Sequence, residues 1–67
     1  MNSIYLNKEF YNIDAIKTAI DDFSKIAEID VFEKDGNNYL VFSNCKYTCE
    51  ETMKEFENYL IQLEYKK

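Results

Sequence analysis

An α+β fold with the element order β-α-β-β-α is predicted for this chain of 67 residues. Three observations carry the prediction. Two apolar stripes recur at helical spacing, an Asp35-Gly36 pair is flanked by alternating segments, and a short alternating stretch opens the chain.

Ser3-Ile4-Tyr5-Leu6-Asn7 places Ile4 and Leu6 on one face and is expected to form a strand that runs on toward Glu9. Asn12 suits a helix N-cap, with Asp14 in the first turn where the helix dipole favours a negative charge. Ile13, Ile16, Ile20, Phe23 and Ala27 then repeat at spacings of three and four, widened by Ala19 and Ile26, which predicts an amphipathic helix over about residues 13–27.

From Glu28 the period switches to two, through Ile29-Asp30-Val31-Phe32-Glu33-Lys34. Asp35-Gly36 suits a type I′ turn, which needs positive φ at both central residues, although Asn37-Asn38 leave a longer loop open. Tyr39-Leu40-Val41-Phe42-Ser43 is the return strand. With a two-residue loop, Val31 faces Leu40 and Ile29 faces Phe42 on one side, and Phe32 faces Tyr39 on the other. Thr48-Cys49-Glu50-Glu51 has the spacing of a capping box. Cys49, Met53, Phe56, Leu60 and Leu63 follow as the stripe of a second helix over about 49–65, with Lys66 and Lys67 at its negative end.

A right-handed crossover with the hairpin strand inserted gives a split βαβ unit. The sheet is then three-stranded and antiparallel, in the order 1-3-2, with two helices on one face: a ferredoxin-like fold lacking its fourth strand. The whole chain, residues 1–67, is read as a single domain near the lower size limit for folding alone. A core of this size rarely supplies more than about 3–5 kcal/mol.

Composition narrows the chemistry. There is no His, Trp or Arg, and all eight positive charges are Lys. Without His the usual general base and the commonest metal ligand are missing. Two Cys alone cannot close a zinc site within one chain. No nucleophile–base pair, phosphate-binding loop or metal spacing occurs. Asp21-Asp22 and Glu50-Glu51 are adjacent on helices and point in different directions. No catalytic residue, cofactor or metal ligand is therefore assigned, and enzyme activity is not expected. A net charge of −5 argues against nucleic acid as a partner. No apolar run is long enough for a membrane span and no secretory leader pattern is seen, so a cytoplasmic protein is expected.

Two candidate sites follow. With both helices on the Ile4 and Leu6 side, the other face of the sheet shows Tyr5, Phe32, Tyr39 and Val41, an apolar and aromatic surface of the kind that marks an interface. The outer edge of strand 1, where a fourth strand would pair, leaves backbone groups open to a peptide strand or to a second copy of this chain. Ile4, Tyr5, Leu6, Phe32 and Tyr39 are the candidate partner contacts. The second site is Cys45 and Cys49. Their spacing fits a redox pair, or a metal clip shared between chains, with one thiol at a helix N-terminus. The helical period instead lines Cys49 up with Met53 and Phe56 as an unpaired packing residue, and makes the stretch Asn44–Glu51 a junction that ends the hairpin and caps the last helix.

The stretch Phe10-Tyr11-Asn12-Ile13-Asp14-Ala15-Ile16-Lys17-Thr18-Ala19 resembles the Tyr-x-x-x-Ala-Ile-x-x-Ala opening of small proteins similar to the D component of the His-Xaa-Ser peptide-modification system. Phe56-Glu57-Asn58-Tyr59-Leu60-Ile61-Gln62-Leu63-Glu64 resembles that family's C-terminal helix. The chain departs from the family in ending Leu63-Glu64-Tyr65-Lys66-Lys67 where Leu-Arg is usual. The resemblance implies a non-enzymatic accessory protein of a ribosomal-peptide pathway. Its partner would be a precursor peptide or a radical S-adenosylmethionine maturase, and it supplies no catalytic residue. A small thiol redox or metal-handling protein using Cys45 and Cys49 is the alternative.

Overall fold

The computed structural model describes residues 2–65. The elements are β1 (Ser3–Leu6), α1 (Ile13–Phe23), β2 (Glu28–Lys34), β3 (Asn37–Ser43) and α2 (Cys49–Tyr65). The strands form one antiparallel sheet in the order β1-β3-β2, the arrangement expected.

The hairpin is built by its turn. Asp35 and Gly36 have φ of 55° and 79°, and Lys34 pairs with Asn37, so the loop has two residues and the register follows. Ile29 lies opposite Phe42, Val31 opposite Leu40 and Phe32 opposite Tyr39, as the alternation requires.

Three boundaries differ from expectation, each for a local reason. β1 stops at Leu6 because Asn7 turns the chain. Its side-chain oxygen accepts from the Glu9 N–H at 2.8 Å, and its carbonyl accepts from the N–H groups of Phe10 and Tyr11. The first helix ends at Phe23, four residues early. The Ser24 hydroxyl and N–H both donate to the Asp21 carbonyl, and the N–H groups of Ile26 and Ala27 converge on the Phe23 carbonyl. Ala27 still enters the core, but from a turn. The hairpin's second strand begins at Asn37 rather than Tyr39, because the two-residue turn leaves Asn37 and Asn38 paired with Lys34 and Glu33. It ends at Ser43 as expected, where Asn44 takes a positive φ of 48°, a conformation Asn tolerates better than most residues. Lys66 and Lys67, expected at the negative end of α2, lie outside the described residues.

The core lies between the helices and one sheet face. Ile4, Leu6, Ile16, Ala19, Leu40, Phe42, Phe56 and Leu60 are buried there. Phe56 is its centre, with the rings of Phe23 and Phe42 edge-on at 5.2 and 5.3 Å. Thr52 is also buried, where the stripe favoured its neighbour Met53. Its hydroxyl donates to the Thr48 carbonyl at 3.0 Å, so a polar side chain enters the core satisfied. The two helices are tied at both ends of their contact. The Asn12 N–H donates to Glu64 Oε1 at 2.7 Å, and the Tyr59 hydroxyl donates to Asp22.

Candidate binding surface and cysteine junction

The helices cover one face of the sheet, and the other carries a row of aromatic rings. Tyr5, Tyr39 and Phe32 occupy directly paired positions on β1, β3 and β2, so the three side chains run in a line across all three strands. The rings of Tyr5 and Tyr39 pack at 5.0 Å and tilted. Tyr5 is 51% exposed and Phe32 56%, while Tyr39 and Val41 are half-buried by their neighbours. Period-two alternation and the hairpin register together put these residues on one face. The row is a consequence of strand order, which sets Tyr39 between the other two.

Ile4 and Leu6 are placed differently. Both are buried in the core, 8% and 1% exposed. The Phe42 N–H donates to the Asn2 carbonyl at 2.8 Å, which fixes the phase of the β1–β3 ladder. By the alternation of antiparallel pairs, Ile4 and Leu6 then direct their backbone groups at β3, and Ser3 and Tyr5 direct theirs outward. Ile4 and Leu6 anchor Tyr5 and offer a partner neither side chain nor backbone. The outer edge of β1 is short, because Asn7 bends away.

Sequence periodicity did not reveal a second apolar surface. Phe10, Tyr11, Ile61, Glu64 and Tyr65 line an open notch of about 360 Å³ where the loop before α1 meets the end of α2. Phe10 and Tyr65 are strongly exposed. Both lie off the core-facing stripes, and their proximity depends on how the helices cross.

At the junction, the expectation of unpaired packing thiols is corrected: Cys45 and Cys49 form a disulfide. Their Cα atoms lie 5.3 Å apart, an ordinary separation for such a bridge. The positive φ at Asn44 folds the chain back, and a bond from the Lys46 N–H to the Ile26 carbonyl at 2.7 Å holds the loop. Cys49 is therefore brought one helical turn beyond Cys45. The capping role is also present, with the Glu51 N–H donating to Thr48 Oγ1 at 3.3 Å. Both cysteines are half-buried against the core rather than fully enclosed.

Among the described residues no group of three or more His, Cys, Asp or Glu side chains is placed to hold a metal ion. The described helices include none long and apolar enough to cross a membrane. Tyr59 has its phenol pKa pushed above the ordinary value, chiefly because its hydroxyl donates to Asp22 and the neutral form keeps that bond. This is a structural link between helices and lies away from the aromatic row. Comparison with known proteins finds no matching family, no matching curated protein and no matching solved structure.

Proposed function

We propose that this chain is a non-enzymatic binding module that recruits a peptide or protein partner on the open face of its sheet. The observation that carries the reading is the row Tyr5–Tyr39–Phe32, an aromatic surface left uncovered in a chain whose helices all pack on the opposite side. Rigid aromatic side chains bring large contact area at low entropic cost, which is why they dominate recognition surfaces. The outward backbone groups of Ser3 and Tyr5 would let an extended peptide align beside β1 and lay alternate side chains across the row. The resemblance to the D component of the His-Xaa-Ser system supports a precursor peptide or a radical S-adenosylmethionine maturase as that partner, in a cytoplasmic setting.

The test is a titration of isotope-labelled protein with the precursor peptide and the maturase encoded beside it. Resonances of Tyr5, Phe32 and Tyr39 are expected to move, and Phe32→Ser, at an exposed position, is expected to weaken binding without unfolding the chain. Folded protein that responds to neither partner would sink the proposal.

The disulfide supports a second reading, a small thiol–disulfide protein. Cys49 is the first residue of α2, where the helix dipole stabilises a thiolate, although Glu50 and Glu51 oppose it. In a reducing compartment such a bridge would cycle rather than persist. Measuring its reduction potential against glutathione separates the cases: a bridge that glutathione cannot open has no redox role in a reducing compartment.

A further inference from the structure

The strand opposite β1 at the other margin of the sheet, β2, is the longer edge. Six of its seven residues are exposed and Ile29 is half-buried. The Phe42 N–H bonds to Asn2 rather than across to β2, so the Ile29–Phe42 pair is a non-hydrogen-bonded one. The alternation of the ladder then turns the backbone groups of Ile29, Val31 and Glu33 outward. The helix layer does not reach over this edge: Val31, on the helix side, is 41% exposed, and Phe32, on the other side, 56%. A strand with open backbone groups and apolar side chains on both faces is a template for another strand.

The charges on β2 say which strand. Its one cation, Lys34, ends a strand that begins with Glu28. Read antiparallel against itself about Val31, the strand sets each Glu28 opposite the partner's Lys34 and Val31 opposite the partner's Val31. The outward groups match in this register, giving about six backbone bonds from three residue pairs. Moving the two-fold to Asp30 would set that carboxylate against itself. Moving it to Phe32 would leave Ile29 opposite the turn residue Asp35 and shorten the ladder. A shift by one residue would mismatch the outward groups.

We propose that β2 pairs antiparallel with β2 of a second copy of this chain, the two-fold axis passing through Val31, to make one continuous six-stranded sheet. Two chains of net charge −5 repel one another at long range, and this contact brings opposite charges together at both ends. The two aromatic rows then lie on a common face, each Phe32 opposite the partner's Asp30, and the β1 edges stay outermost. The inference is independent of what the aromatic face binds.

Sedimentation equilibrium over a concentration series tests it, with circular dichroism to confirm folding. The wild-type chain is expected to be a dimer. Lys34→Glu sets acid against acid at both ends and is expected to raise the dissociation constant roughly tenfold or more. Glu28→Lys combined with Lys34→Glu restores both ion pairs in this register alone, and is expected to restore the dimer. Val31→Lys, at an exposed position, is expected to dissociate it by a separate route. A monomer at every concentration, a dimer indifferent to Lys34→Glu and Val31→Lys, or a double variant without rescue each overturns the proposal. A monomer that still captured peptide would overturn it and leave the binding reading intact.

Discussion

Breaking the Cys45–Cys49 bridge should lower stability by an amount that the chain's geometry sets. The cysteines are four residues apart in sequence, so the bridge closes a loop of only five residues. Loop-closure entropy for so short a loop is about 2 kcal/mol, well below what a long-range disulfide contributes. For a chain of this size, net stability is roughly 3–10 kcal/mol, so the loss is large but not fatal. At 4–8 °C per kcal/mol for a small domain, Tm is expected to fall by roughly 8–16 °C. The assay is thermal unfolding followed by circular dichroism for the oxidised protein, the reduced protein and the Cys45→Ala/Cys49→Ala variant, with thiol counting before each melt. Reduced and variant proteins should melt together, below the oxidised form. Coincident melts of oxidised and reduced protein would refute the reasoning, since the bridge would then constrain nothing in the unfolded chain. Loss of all folded structure on reduction would refute it in the other direction and exclude a redox cycle in the folded state.

Three further outcomes are expected. Gly36→Ala should cost about 1–2 kcal/mol in urea unfolding, entirely from its φ of 79°, because the nearest atom to an added methyl, Lys8 Cδ, is 3.8 Å away. Phe56→Ala should cost about 3–5 kcal/mol, comparable to what a core of this size supplies, and leave a chain without a cooperative transition, whereas Phe56→Leu should still unfold cooperatively. The Tyr59–Asp22 bond belongs to the neutral phenol, so its contribution is complete below the ordinary tyrosine value of about 10 and is lost as pH rises through the higher value in the folded state; Asp22→Asn should move the Tyr59 phenolate transition to lower pH, read by absorbance against Tyr59→Phe.

Most of the architecture is legible in local patterns, and the reason is physical. The two-residue turn at Asp35-Gly36 sets the hairpin register, because only residues that accept positive φ fit there, and every β2–β3 pair follows from that one turn. The capping residues Asn12 and Thr48 likewise act within a few residues of themselves, and both bond as their positions imply. Where reading failed, a local competitor had overridden the period. The Ser24 hydroxyl ends α1 while the apolar spacing runs on to Ala27, since Ala27 is buried from a turn as readily as from a helix.

The sequence by itself determines the element order, the hairpin register, the segregation of Tyr5, Tyr39 and Phe32 from the core and the acidity of the surface, since each depends on backbone periodicity, one turn or a sum of charges. The state of the two cysteines, the uncovered flank at Val31 and the notch between Phe10 and Tyr65 were decided by tertiary structure alone. Each of these depends on a distance across the molecule. The loop bond from Lys46 to Ile26 holds the cysteine junction, the reach of two helices over three strands leaves β2 uncovered, and the helix crossing brings Phe10 and Tyr65 together from near opposite ends of the chain. No pattern of neighbours along the chain encodes such a distance.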